Sequence, residues 1–173
     1  EELRLDVDNE HDLVAVAQYH CNENGGNRHK LNQLLIEQLT VGAVPTNNHR
    51  ILARLPISTY WTTNYDQLIE TALKDTGKIA DVKYITEQLA TTKARRDAVV
   101  YKMHGDVEHP HDAVLIKDDY EKYHIKRGAF INALSGDLVS KTFLFIGFSF
   151  TDPNLDYVLS RVRVNFRENQ RRH

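Results

Sequence analysis

The spacing of hydrophobic positions changes along the chain, and the changes mark out its elements. Between Leu13 and Cys21 the residues Leu13, Val16, Ala17, His20 and Cys21 recur at helical spacing, and Asn24, Gly25 and Gly26 break the pattern. A second helical stripe runs through Leu31, Leu34, Leu35 and Leu39. The two predict an antiparallel helix pair, a surface layer or insertion rather than the chemical centre. The segment 48–55 reads as a short helix that stops before Pro56. Ile57 to Thr63 is rich in β-branched and aromatic residues and reads as a buried strand. Asp66, Leu68, Ile69, Ala72 and Leu73 then supply a helix ended by Gly77, a favoured residue just past a helix end.

Further on, Val82–Ile85 reads as a short strand, Ala98–Met103 as a second good one, and Ala113–Ile116 as a shorter candidate. Helical stretches are expected over 118–123 and through Phe130, Ile131, Leu134 and Leu138. Thr142–Ile146 is the most continuous apolar run, the pattern expected of a strand at the centre of a parallel sheet. Asp152 followed by Pro153 predicts a capped helix start, and Leu155, Val158, Leu159, Val162 and Phe166 its buried face. Arg161, Arg163, Arg167, Arg171 and Arg172 suit the end of that helix, where cations meet the negative pole of the helix dipole.

Strands alternating with helices predict a Rossmann-like parallel α/β sheet flanked by helices. Residues 1–45 would be a helical segment and 46–173 the α/β core. In open parallel sheets ligands bind beyond the carboxyl ends of the strands. Three strands are expected to end there in polar turns: Thr63-Asn64-Tyr65-Asp66, His104-Gly105-Asp106 and Gly147-Phe148-Ser149. The turns are therefore expected to share one crevice. A carboxamide at Asn64 can hold a ribose hydroxyl or orient a water, though Asn64 or Asp66 serves equally well to cap the next helix. His104 has the side chain most often used for acid–base work near neutral pH, and the competing reading is an ordinary packed histidine among the nine in the chain. Gly147 and Ser149 precede a helix start suited to phosphate. Thr151 stands where a hydrolase elbow needs its last glycine, which argues against a serine hydrolase. Trp61, Tyr60 and Phe148 are able to stack on a nucleotide ring, but core packing accounts for them as well. His109 and His111 flank Pro110 without a third metal ligand nearby.

Composition narrows the class further. The 173 residues are 41% hydrophobic and 27% charged, ordinary for a globular domain, and the net charge of -2 gives no argument for nucleic acid or an anionic membrane. No stretch approaches a membrane span, so a cytoplasmic location is the default expectation. The single cysteine, Cys21, rules out an internal disulfide and any zinc site of paired Cys-x-x-Cys knuckles. A start without Met, at an acidic run, reads as a piece of a longer protein.

The polar turns sit in longer stretches: Thr62-Thr63-Asn64-Tyr65-Asp66 with Leu68, Ile69 and Glu70; Lys102-Met103-His104-Gly105-Asp106; and 142–154. Together with Val114–Tyr120, these stretches resemble the sirtuin-like domain of bacterial antiphage defence systems, over roughly Ile57 to Val162. The resemblance implies a Rossmann-like sheet with a helical module, and hydrolysis of NAD to nicotinamide and ADP-ribose. It implies that Asn64 holds the nicotinamide ribose and places water, and that His104 meets the ribose hydroxyls and acts as acid and base. Asp66, beside Thr63, would order the nicotinamide side; Gly147, Phe148 and Ser149 would line the adenosine end. NAD is then substrate, and a homo-oligomer, a regulatory domain or partner protein, or both are expected.

Two departures shape this expectation. Deacylating sirtuins hold a structural zinc on four cysteines, so one cysteine tilts the reading to an NAD hydrolase without zinc. The family's opening strand and Gly-Ala-Gly-x-Ser phosphate loop have no counterpart here, because Gly25-Gly26 follows a helix. That absence keeps open a non-catalytic nucleotide-binding or assembly module. Protein deacylation or ADP-ribosyl transfer is the third reading.

Overall fold

The computed structural model of the protein describes residues 12–147 and 152–166. Helices α1 (Leu13–Glu23), α2 (His29–Thr40) and α3 (Asn47–Arg54) precede strand β1 (Thr59–Thr62). Then come α4 (Leu68–Asp75), β2 (Ala80–Lys83), β3 (Ala98–Lys102), α5 (Lys117–Glu121), α6 (Tyr123–Lys126), α7 (Gly128–Ser140) and α8 (Pro153–Phe166). The chain forms two compact units, the first ending at Glu121 and the second starting at Lys122.

In the first unit the strands form a parallel sheet in the order β1-β3-β2, so β3 is central. A central strand is covered on both faces, and Ala98, Val99 and Val100 are accordingly all buried. Register pairs Tyr60 with Val100 and Val82 with Val100, and their side chains point to the face covered by α3 and α4. The core there joins Ala53, Tyr60, Ala72, Leu73, Ala98 and Val100. Burial pushes the Tyr60 phenol above its ordinary pKa, and its hydroxyl donates to the Leu52 carbonyl at 2.9 Å. On the opposite face Trp61 stacks on its register partner Tyr101 with ring centroids 4.1 Å apart. Both aromatics near β1 are thus engaged in packing. Gly77 has φ +77°, the left-handed conformation that ends α4, and lets Lys78 N–H reach the Leu73 carbonyl at 3.0 Å.

The helix pair before Pro45 joins this same unit. Arg28, just ahead of α2, donates to the Asp119 carboxylate at 3.1 Å and the Ala113 carbonyl at 2.9 Å, and Gln18 accepts the Asp118 N–H at 2.9 Å. These bonds explain why Ala113–Ile116 is not a strand. Its main-chain groups are already taken: the Ala113 carbonyl by Arg28, the Val114 N–H by the His104 carbonyl, and the Leu115 and Ile116 N–H groups by Asp119.

In the second unit Phe130, Leu134 and Leu138 of α7 and Leu155 and Val158 of α8 are buried. The expected cap of α8 is present, with the Asp152 carboxylate accepting the Leu155 N–H at 3.0 Å. The central strand expected over Thr142–Ile146 is not. This stretch makes no ladder among the described residues, and Leu144 and Ile146 are 75% and 57% exposed. An apolar run states a preference for burial, whereas a strand also needs a hydrogen-bonded neighbour. No helix among the described residues is long and apolar enough to cross a membrane.

Edge strand β2 carries a buried ion pair, Asp81 with Lys83 at 2.8 Å. Charged residues on an edge discourage pairing with a foreign strand. Burial alone would raise the Asp81 pKa. Its hydrogen bonds with Lys83, the Lys93 N–H and Arg96 outweigh that and hold it below the usual value. A depressed carboxylate stabilises the fold above its unfolded pKa, and this stability fades as pH falls through the folded value. Asp81→Asn is therefore expected to be destabilised in urea melts at neutral pH, with the deficit shrinking as pH falls below the ordinary carboxylate range.

Candidate active site

Because β1 and β3 are parallel neighbours, the turns that follow them lie side by side. Main-chain bonds join them: Met103 N–H donates to the Thr62 carbonyl and Val107 N–H to the Tyr65 carbonyl, both at 2.9 Å. The turns carrying Asn64 and His104 are thus brought together at the carboxyl edge of the sheet, where ligands of this architecture bind.

Asn64 is exposed, and its N–H is held by the Thr62 hydroxyl at 3.0 Å. Gln67 is the N-cap of α4 and makes no side-chain cap bond, while Asp66 just before it accepts the first helical N–H, that of Leu68, at 3.0 Å. Thr63 and Asp66 are half-buried beside it. His104 is only 4% exposed, walled by Tyr120 edge-on at 5.4 Å and by Tyr65 at 6.3 Å. The Tyr65 hydroxyl donates to the Val114 carbonyl, so the aromatic wall and the loop behind His104 are fixed to each other. The site therefore offers an exposed carboxamide beside a sheltered imidazole. Gly147, exposed with φ +63°, belongs to the second unit, and Phe148 and Ser149 lie outside the described residues.

Beneath both turns lies Lys102, fully buried at the end of β3. Its ammonium donates to the Tyr65 carbonyl at 3.0 Å, to the Asp66 carbonyl, and to the Asp106 carboxylate at 2.7 Å. Glu70 of α4 pairs with it at 3.0 Å. The second Asp106 oxygen accepts from the Gln67 amide at 3.1 Å and the Glu108 N–H at 2.9 Å. The three ammonium hydrogens are taken by the first three acceptors, and Glu70 receives charge attraction without a well-aimed hydrogen. Burial consequently dominates at Glu70 and raises its pKa, against the lowering pull of Lys102.

Lys102, Glu70 and Asp106 stand inside the quoted motifs, but sequence reasoning gave them no role, and Gln67 was missed outright. A signal existed: a lysine closing the apolar run Ala98–Tyr101 is a buried cation in search of carboxylates. The two loop histidines are engaged elsewhere. His109 stacks on Tyr84 and hydrogen-bonds its hydroxyl at 2.8 Å, and His111 lies 3.3 Å from the Asn32 amide. Among the described residues no three His, Cys, Asp or Glu side chains group to hold a metal.

A three-stranded parallel sheet flanked by helices, with polar turns at its carboxyl edge, is a Rossmann-like α/β architecture. The family model described as SIR2-like domain matches residues 58–173, and the chain belongs to that family. Among its relatives is the protein named NAD(+) hydrolase ThsA of Bacillus cereus (strain MSX-D12), 68% identical over all of this chain. The protein of the same name from Acinetobacter baumannii (strain 532279) is 60% identical over 99% of the chain. The chain spans 36% of the length of each. Defense-associated sirtuin 2 of Bacillus subtilis is 34% identical over 69% of the chain, which is 12% of that protein.

Two outcomes follow from the geometry. Gly105 has φ +99°, and a Cβ there would meet the Ala113 Cα at 3.0 Å. Gly105→Ala should cost about 1–3 kcal/mol in a denaturant melt, since backbone strain and a main-chain clash add. A raised carboxyl pKa gives stability that is present at low pH and lost as pH rises through the folded value. Glu70→Gln should therefore match the natural protein in acid and gain stability relative to it as pH rises above the ordinary carboxylate range, read by thermal melts across pH.

Proposed function

We propose that the chain is part of an NAD glycohydrolase, cleaving NAD to nicotinamide and ADP-ribose as the effector of an antiphage defence system. The observation that carries this reading is the run of relatives named NAD(+) hydrolase, 53–68% identical over at least 99% of this chain. The arrangement at the sheet edge supports it. Breaking the N-glycosidic bond builds positive charge on the ribose, so a site must hold that sugar and offer it a water. Asn64, at the surface, holds the nicotinamide ribose and places the water through its paired donor and acceptor. His104, sheltered by Tyr120 and Tyr65, meets the ribose hydroxyls and moves the proton. Thr63 and Asp66 order the nicotinamide side, and Gly147, Phe148 and Ser149 the adenosine end.

Because the relatives are longer than the match, we place the diphosphate-binding loop and a regulatory segment in the remainder of such a protein. Homo-oligomerisation, a partner protein and a cytoplasmic location belong to the same proposal. The test is nicotinamide release from NAD by the intact protein. Asn64→Ala and His104→Ala are each expected to reduce it by at least about 100-fold, the scale of a lost acid–base or positioning group. Turnover at the natural rate in both variants sinks the assignment.

A further inference from the structure

The contacts of Lys102 go beyond charge balance. Charge attraction accounts for Glu70 and Asp106, at 3.0 and 2.7 Å, but not for the hydrogens given to the carbonyls of Tyr65 and Asp66. Those two carbonyls follow Asn64 directly in the chain, and Asp106 follows His104 by two residues. One ammonium therefore holds the backbone behind one proposed catalytic residue to the side chain behind the other. The same joint is closed a second time by the Val107 N–H, which shares the Tyr65 carbonyl with Lys102 at 2.9 Å. Gln67 closes it a third time, reaching Asp106 from the start of α4 at 3.1 Å.

A fully buried charge is a costly way to fill a core, and apolar residues of similar volume are often no worse for stability. Its location between the two turns gives it another use. We infer that Lys102 is a positioning residue that sets the Asn64 turn against the His104 turn, acting through the Tyr65 and Asp66 carbonyls and Asp106 without touching substrate. This rests on the NAD-cleavage reading given above, which assigns Asn64 and His104 to the chemistry. In that reading a shift of one turn against the other moves the carboxamide away from the imidazole. Displacements on the order of 1 Å in such a pair cost about 100-fold in rate.

The test separates positioning from stability in the intact protein. Lys102→Met alone strands two buried carboxylates and is expected to unfold readily. The triple variant Lys102→Met, Glu70→Gln, Asp106→Asn removes the whole charge cluster and should melt near the natural temperature. Its kcat for nicotinamide release is expected to fall about 10- to 100-fold while KM stays within about threefold, the mark of lost alignment rather than lost binding. Amide exchange gives a readout independent of activity. Val107 should exchange faster in the variant, while Val99, bonded to the Ser58 carbonyl inside the sheet, keeps its protection. The milder Asp106→Asn, which leaves Lys102 and Glu70 as a neutral pair, should show smaller shifts of the same kind in kcat and at Val107. Should the triple variant not fold, this single variant decides the matter by the same two measures. A folded variant with natural kcat, or one with unchanged Val107 exchange, overturns the inference. If the natural protein releases no nicotinamide, the functional reading fails by itself, and Val107 exchange alone decides whether the clamp exists.

Discussion

An ammonium group inside a protein must place three hydrogens on acceptors and find compensating charge, or the chain around it will not close. Lys102 meets both demands at the end of the central strand, with no side-chain surface left to solvent. Leaving such a group unpaired would cost several kcal/mol, so its acceptors are fixed as firmly as the lysine itself. Those acceptors are the turn after β1 and the turn after β3, and Glu70 in the first turn of α4 adds compensating charge. The place where strands give way to loops, normally the loosest part of an α/β domain, is here tied together from below. Each hydrogen bond to a charged partner contributes roughly 1.5–3 kcal/mol. A few such bonds are of the same order as the net stability of a small domain.

A second cation does related work one layer out. Arg28 reaches from the start of α2 to Asp119 and to the Ala113 carbonyl, and Asp119 in turn holds the Leu115 and Ile116 N–H groups. The next residue, Tyr120, stands edge-on to His104. The helical layer thereby fixes the aromatic wall behind the imidazole, although no helical residue before Pro45 is assigned to the chemistry. Gly105 makes the arrangement compact, because its missing side chain lets the loop at Ala113 come within what would be 3.0 Å of a Cβ. Sequence, loop path and histidine burial form one chain of cause here.

What could be read from the residues divides along physical lines. The helices showed themselves because 3.6-residue periodicity is local, and the end of α4 and the start of α8 followed from Gly77 and Asp152. Strands β1 and β3 were legible because their apolar residues lie beside turn residues, and with them the positions of Asn64 and His104. Thr142–Ile146 misled because composition reports a preference for burial and cannot report a neighbour. Ala113–Ile116 misled because its backbone bonds go to Arg28 and Asp119, and Arg28 stands far away in sequence. The partners of Lys102 went unread for the same reason: its place after an apolar run signals a buried cation, but only the parallel register of β1 and β3 brings its acceptors to it. Asn64 as a cap was a fair local reading, settled by which side chain actually meets the Leu68 N–H.

The two buried lysine–carboxylate pairs of the first unit show why counting donors decides more than counting charges. Asp81 and Glu70 each pair with one lysine, at 2.8 and 3.0 Å, and Glu70 lies in the more deeply desolvated surroundings of the two. Yet the pKa of Asp81 moves down and that of Glu70 moves up. Asp81 receives aimed hydrogens from Lys83, Arg96 and the Lys93 main chain, and these overcome its desolvation. Glu70 faces an ammonium whose hydrogens are spent on Tyr65, Asp66 and Asp106, so charge attraction remains but does not outweigh its desolvation. The edge-strand pair is arranged to satisfy its carboxylate. The pair under the site is arranged to satisfy the turns, and it leaves Glu70 under strain to do so. On β2 the lysine serves its carboxylate, whereas under the sheet edge the lysine gives its hydrogens to the backbone that follows Asn64 and to the carboxylate that follows His104.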